Sequence, residues 1–254
     1  MLGLPDDVTA CLFDLDGVLT PTAELHDAAW AEMFNDYLRQ RSARTGEPFV
    51  PFDPDHDYLT YIDGRPRADG VRAFLASRGI TLPEGTPDDT AEAETVHGLG
   101  NRKNALVLRL IRERGVRPYP GSVAYLTAAR DAGLRRAVVS ASANCAEVLA
   151  AARLADLIEE RVDGLVAAAE GLRGKPYPDT FLAAARRLDT APPHAAVFED
   201  SLAGVQAGRA GGFGCVVGVD RVGQADALRA QGADIVVGDL ADLLDSANVE
   251  GGAP

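Results

Sequence analysis

The chain has 254 residues, 46% of them hydrophobic and 25% charged, which suits one large domain or a core with a smaller partner. Its 25 basic and 38 acidic residues leave a formal net charge of -13. That balance argues against nucleic acid or an anionic membrane surface as a partner, and an anionic substrate would need local help from a metal or a placed Lys or Arg.

Cys11, Cys145 and Cys215 are odd in number and form no CxxC pair, so small buried thiols are expected rather than a disulfide framework. The N-terminal MLGLPDDVTA has no basic segment followed by a long apolar run, so no secretory leader is expected. No apolar stretch approaches the roughly 20 residues of a membrane-spanning helix, and a cytoplasmic protein is expected.

In chain order, VTACLFDLD (8–16) reads as a buried strand ending in Asp14 and Asp16. Positions i and i+2 of a strand share a face, so two carboxylates would sit close together, each made harder to ionise by burial and by the other. A divalent cation would make such a pair tolerable, and Mg²⁺ suits a few carboxylates, waters and phosphate oxygens. From about Thr22 to Pro118 no buried strand is evident. Helical patterns run through AELHDAAWAEMFNDYLRQRSA, RADGVRAFLASRGI and DDTAEAETVHGLGNRKNALVLRLIRERG. TGEPFVPFDPDHDYLTY, rich in Pro and Asp, reads as loop; its DPDHD imitates a Ca²⁺ loop but lacks the required Gly and twelfth-position Glu.

Beyond this segment, apolar runs alternate with helical patterns. The runs are RRAVVSA (135–141), AAVFED (195–200), GCVVGV (214–219) and ADIVVG (233–238). Continuous apolar runs without polar alternation indicate strands buried on both faces of a parallel sheet. The expected fold is α/β, a doubly wound, mainly parallel sheet formed by residues 1–21 and 118–254, with an inserted α-helical domain at 22–117. An insertion after the first strand is placed to act as a lid, because open α/β sheets bind ligands at the carboxyl ends of their strands. The tail VEGGAP is expected to be disordered.

Three further features could carry chemistry. VVSASAN ends a strand at Ser140, and hydroxyls and loop N–H groups there suit phosphate oxygens. GLRGKPYPDTF holds Lys175 in a loop between Gly174 and Pro176. FEDSLAGVQAG ends a strand in Glu199 and Asp200 before a helix start at Ser201.

This ordered set of an Asp-x-Asp strand end, a Ser strand end, a loop Lys and an acidic strand end resembles the haloacid dehalogenase (HAD) superfamily. LFDLDGVLTPTAELHDAAW, RKN at 102–104, SASAN at 140–144, GKPYPDTF and FEDSLAGVQA resemble its β-phosphoglucomutase-like subfamily. The resemblance implies a HAD-like Rossmannoid core with a helical cap. It also implies Mg²⁺-dependent phosphoryl transfer on a small sugar phosphate, with Asp14 as nucleophile and Asp16 as general acid and base. Asp14, the Asp16 carbonyl and Asp200 would hold Mg²⁺, with Glu199 close by. Ser140 and Ala141 would bind the transferring phosphoryl group, with Ser142 and Asn144 in the same loop, and Lys175 would neutralise its charge. In the cap, Gly64 and Arg67 match the specificity loop, and His26, Lys103 and Asn104 match further substrate-binding positions. A monomer acting on a small molecule is expected.

Pro21, Ala143, Arg65 and Pro66 depart from the subfamily pattern. The first two replace an acid and a Lys, and the others replace small loop residues. These departures leave the phosphoryl-transfer machinery intact and keep a sugar-phosphate phosphatase as the alternative to a mutase. A phospho-receiver module, which shares the acidic cluster and the Lys, is the remote alternative.

Overall fold

The computed structural model describes residues 2–63 and 65–244. Gly64 and the VEGGAP tail lie outside the described residues.

Six strands, β1 (Ala10–Phe13), β2 (Arg135–Val139), β3 (Glu160–Val162), β4 (Ala195–Glu199), β5 (Cys215–Val219) and β6 (Ile235–Val237), form one sheet in the order β3-β2-β1-β4-β5-β6. Every pairing is parallel. This is the doubly wound arrangement that the apolar runs imply. β1 is buried along its whole length between β2 and β4, as its lack of polar alternation requires. The strand order reverses at β1, which makes the carboxyl ends of β1 and β4 the place where such sheets bind ligands.

The chain divides into two compact units, one of residues 1–21 and 116–254 and the other of residues 22–115. The second unit is helical, with α1 (Thr22–Thr45), a π-helix (Pro54–Ile62), α2 (Arg67–Ser77) and α3 (Val96–Arg114). Its core is aromatic: Phe34 lies 4.0 Å from Phe74 between ring centroids and stacks on Trp30 and Phe52. Each such ring, buried, contributes on the order of 2–3 kcal/mol. The first unit carries α4 (Pro120–Asp131), α5 (Cys145–Ala151), α6 (Gly164–Glu170), α7 (Asp179–Arg187), α8 (Leu202–Ala210) and α9 (Ala225–Gln231) around the sheet. Phe13 and Phe198, on neighbouring strands, stack at 4.5 Å, and Tyr125 packs edge-on against both.

Three local expectations are corrected. The stretch read as loop contains the π-helix, because the Asp53 side chain accepts from the N–H groups of Asp55 and His56 and starts the turn. Asp57 within it is buried and takes hydrogen bonds from the Asp53 N–H (3.0 Å) and Arg78 (2.6 Å). The last cap helix begins at Val96 rather than near Asp88, since the Thr95 hydroxyl caps Gly98 N–H and itself donates to Asp89. β3 and α6 were not expected at all. All three cysteines are buried and free. Among the described residues no helix is long and apolar enough to cross a membrane.

Candidate active site

Parallel pairing of β1 with β2 and β4 brings three strand ends to one edge of the sheet. Asp14 follows β1, Ser140 follows β2, and Glu199 ends β4 with Asp200 next. The register is fixed up to the site: Phe13 pairs with Val138 and Phe198, and the Asp14 N–H donates to the Phe198 carbonyl at 2.9 Å.

Lys175 comes to the same edge from the loop before α7. It is 5% exposed, and its ammonium is paired with both Asp14 and Glu199. Burial alone would lower its pKa, but the two carboxylates more than offset this and hold it above the ordinary lysine value. Burial raises the Asp14 carboxyl well above its usual range; Lys175 opposes the shift, while Glu199 and Asp16 add to it. Glu199 is fully buried. Its other oxygen accepts from the Ser201 N–H (3.1 Å) and hydroxyl (2.9 Å), which ties it to the start of α8. A Cβ at Gly204 would lie 1.9 Å from the Glu199 carboxyl carbon, so α8 approaches this closely only with glycine there.

Ser140 is buried, and its hydroxyl lies 3.4 Å from the Asp16 carboxylate. The same oxygen accepts from the Ser142 N–H at 3.0 Å, and the Ser142 hydroxyl accepts from the Asn144 N–H at 3.1 Å. These bonds curl residues 140–144 into a compact loop of the sort that can present N–H groups to phosphate. Gly17 closes the turn after Asp16, with φ of +88° and its N–H donating to the Thr20 carbonyl at 2.7 Å. A Cβ there would sit 1.7 Å from an Asp200 carboxylate oxygen. Gly17→Ala is therefore expected to displace Asp200 and to lower stability by about 1–3 kcal/mol, seen as an earlier midpoint in urea unfolding. A midpoint equal to wild type would mean that the turn relaxes without cost.

One carboxylate oxygen each from Asp14, Glu199 and Asp200 lie within 4.8 Å of one another. The donor set is all oxygen, which suits a hard divalent cation. Asp14, Asp16, Glu199 and Asp200 bring four carboxyl groups to this edge, where the Lys175 ammonium pairs with Asp14 and Glu199. Clustered oxygen donors with this surplus of acid groups fit a divalent ion.

In the helical unit, Lys103 is buried and donates to His26 Nδ1 at 2.9 Å, 4.8 Å above the Trp30 ring. Arg67 opens α2 and donates to the Asn101 side chain at 3.3 Å; burial lowers its pKa. Asn101 is held in turn by bonds to the Pro87 and Asp89 carbonyls. No motif in the sequence singles out Asn101; only its position on α3 facing Arg67 does. Asn104 lies on α3 one residue beyond Lys103.

A family model for haloacid dehalogenase-like hydrolases matches residues 8–212. The chain belongs to that family. Within it the chain is β-phosphoglucomutase-like: it is 57% identical, over 96% of its length, to a β-phosphoglucomutase of Mycobacterium bovis, covering 94% of that protein. A Bacillus subtilis β-phosphoglucomutase is 30% identical, with 92% of this chain and 91% of that one covered. The crystal structure of a Clostridium difficile β-phosphoglucomutase shares the fold with a TM-score of 0.72 at 24% identity, covering 96% of each chain. Membership of this HAD enzyme family sets the receiver-module alternative aside.

Proposed function

We propose that this HAD enzyme isomerises β-glucose 1-phosphate to glucose 6-phosphate through an aspartyl phosphate on Asp14. The observation that carries the chemistry is the position of Asp14, buried at the centre of the sheet edge against Lys175, with Asp16 and Ser140 beside it. The choice of sugar follows the mycobacterial and Bacillus relatives, both named for β-phosphoglucomutase.

In the first half-reaction an Asp14 oxygen attacks the C1 phosphorus of glucose 1,6-bisphosphate, and glucose 6-phosphate is the leaving product. The bond from phosphorus to the sugar oxygen breaks, and Asp16 gives that oxygen its proton. In the second half Asp16 takes the proton of the C6 hydroxyl of β-glucose 1-phosphate, whose oxygen attacks the phosphoryl group on Asp14, restoring the free carboxylate and re-forming the bisphosphate. Ser140 and the Ala141 N–H hold the phosphoryl oxygens, with Ser142 and Asn144 shaping the loop, and Lys175 balances their charge. Asp14, the Asp16 carbonyl and Asp200 would hold Mg²⁺, with Glu199 close by; bound there, the ion neutralises charge on the transferring group. In the helical unit Arg67, with its planar fork of donors, takes the non-transferring phosphate. His26, Lys103 and Asn104 serve the same substrate.

The test supplies β-glucose 1-phosphate, Mg²⁺ and a trace of glucose 1,6-bisphosphate, and follows the products. Glucose 6-phosphate is expected as the main product, with turnover stopped by EDTA and restored by Mg²⁺. Inorganic phosphate as the sole product would replace this reading with a sugar-phosphate phosphatase.

A further inference from the structure

The loop that follows β5 reaches both acidic strand ends. Asp220 organises it: one carboxylate oxygen accepts from the N–H groups of Gly223 (2.7 Å) and Gln224 (2.8 Å), with Val222 at 3.3 Å, and the other from Ala225 (3.2 Å) at the start of α9. That turn fixes the two side chains that leave it.

Arg221 extends to the Asp14–Asp16 loop. Its Nε donates to the Gly17 carbonyl at 2.8 Å, and Nη2 lies 3.5 Å from the Val18 carbonyl. Nη1 is anchored on the Gly238 carbonyl (2.8 Å) and Asp239 (3.3 Å), and the guanidinium carbon stacks 3.8 Å from the centre of the Tyr119 ring. Gln224 extends the other way, and its amide donates to the Asp200 carbonyl at 3.0 Å. The two loops so held are the pair in which Gly17 backs directly onto the Asp200 carboxylate.

We infer that Arg221 and Gln224 are positioning residues that fix the Asp16–Gly17 turn and Asp200 at the separation needed to share one divalent cation. The inference rests on the metal role proposed above for Asp14, Asp16 and Asp200. Neither side chain need touch the ion. Each holds the main chain of a ligand-bearing loop, and loss of such outer partners typically weakens metal binding about 10- to 100-fold. A planar, multi-donor cation can hold the Gly17 and Gly238 carbonyls together while its carbon sits over the Tyr119 ring, so lysine is a poor substitute for Arg221.

The experiment is direct titration of Mg²⁺ into the full chain by calorimetry, with Mn²⁺ followed by electron paramagnetic resonance as a second probe. Thermal unfolding in EDTA runs alongside for wild type, Arg221→Ala, Arg221→Lys, Gln224→Ala and the double alanine variant. The expected result is a dissociation constant raised at least tenfold in Arg221→Ala and a smaller rise in Gln224→Ala. Arg221→Lys should recover little, and Gln224→Ala should keep the wild-type unfolding midpoint. Gln224→Ala also keeps the inference testable if Arg221→Ala fails to fold. Metal affinities equal to wild type in every variant that folds would overturn it, as would losses that only track the fall in unfolding midpoint. Asp200→Ala separates the two levels. If it binds metal normally, the proposed metal site is wrong; if it loses the metal while the Arg221 and Gln224 variants do not, only the positioning role is.

Discussion

Asp14→Asn is expected to lower turnover of the sugar phosphate by at least about 10⁴-fold, the scale on which removal of a covalent nucleophile acts, while leaving the fold intact. The amide matches the carboxyl in shape but offers phosphorus no anionic oxygen. The structural cost should be small. Burial already disfavours the Asp14 charge, and Lys175 keeps its pair with the fully buried Glu199. The change in unfolding free energy should stay within about 1 kcal/mol, because the charge that leaves is itself costly to bury and Glu199 still neutralises Lys175. A coupled glucose 6-phosphate assay and a urea melt on the same preparation read both quantities. Turnover within tenfold of wild type would remove Asp14 as the attacking group, whatever the melt shows.

Lys175→Ala should do the opposite to stability. It strips the one ammonium from Asp14 and Glu199, and breaking a buried ion pair by removing one partner costs about 3–5 kcal/mol. For a protein of this size that is a fall of roughly 6–20 °C in unfolding midpoint, together with loss of turnover. The deficit depends on pH in a defined direction. Without Lys175 the Asp14 carboxyl, already raised by burial, rises further, so the folded state binds more protons than the unfolded one above the ordinary carboxylate range. Stability of the variant then falls as pH rises through that window and approaches wild type as pH falls below it. Millimolar Mg²⁺ should restore part of the midpoint by binding only the folded site. A variant with the wild-type midpoint at pH 8 in EDTA would show that the two carboxyl groups tolerate each other without the lysine.

Much of this site was legible because each of its strands is a short apolar run that stops at a polar residue. CLF before Asp14, AVV before Ser140 and AVF before Glu199 mark buried parallel strands by composition alone, and parallel pairing then brings their ends together. Lys175 had only a weak local signal, its place between Gly174 and Pro176, and became specific as a member of an ordered set. β3 was hidden for the opposite reason: Glu160, Arg161 and Val162 form a three-residue edge strand, too short and too polar for periodicity to show. The π-helix was hidden by its composition. Pro54, Asp55 and Asp57 suggest a turn, and the deciding contact, Asp57 with Arg78, spans 21 positions. Arg221 and Gln224 escaped because they act on main-chain carbonyls 204 and 24 residues away. A carbonyl has no side-chain identity for a motif to record.

The central position of β1 has a consequence for how the molecule is made. β1 is made before the five strands it joins, and both of its neighbours are encoded much later: Ala10 pairs with Arg135 and with Ala195. At about 5–20 residues per second, β1 waits roughly 10–40 s for β4. Until β2 is made ACLF has no strand to join, and Asp14 has no lysine until Lys175, 161 residues downstream, is made. Residues 22–115 can meanwhile form contacts among themselves. Such long-range closure places the α/β unit among slow folders of high contact order, with catalytic competence among the last properties that the nascent chain acquires.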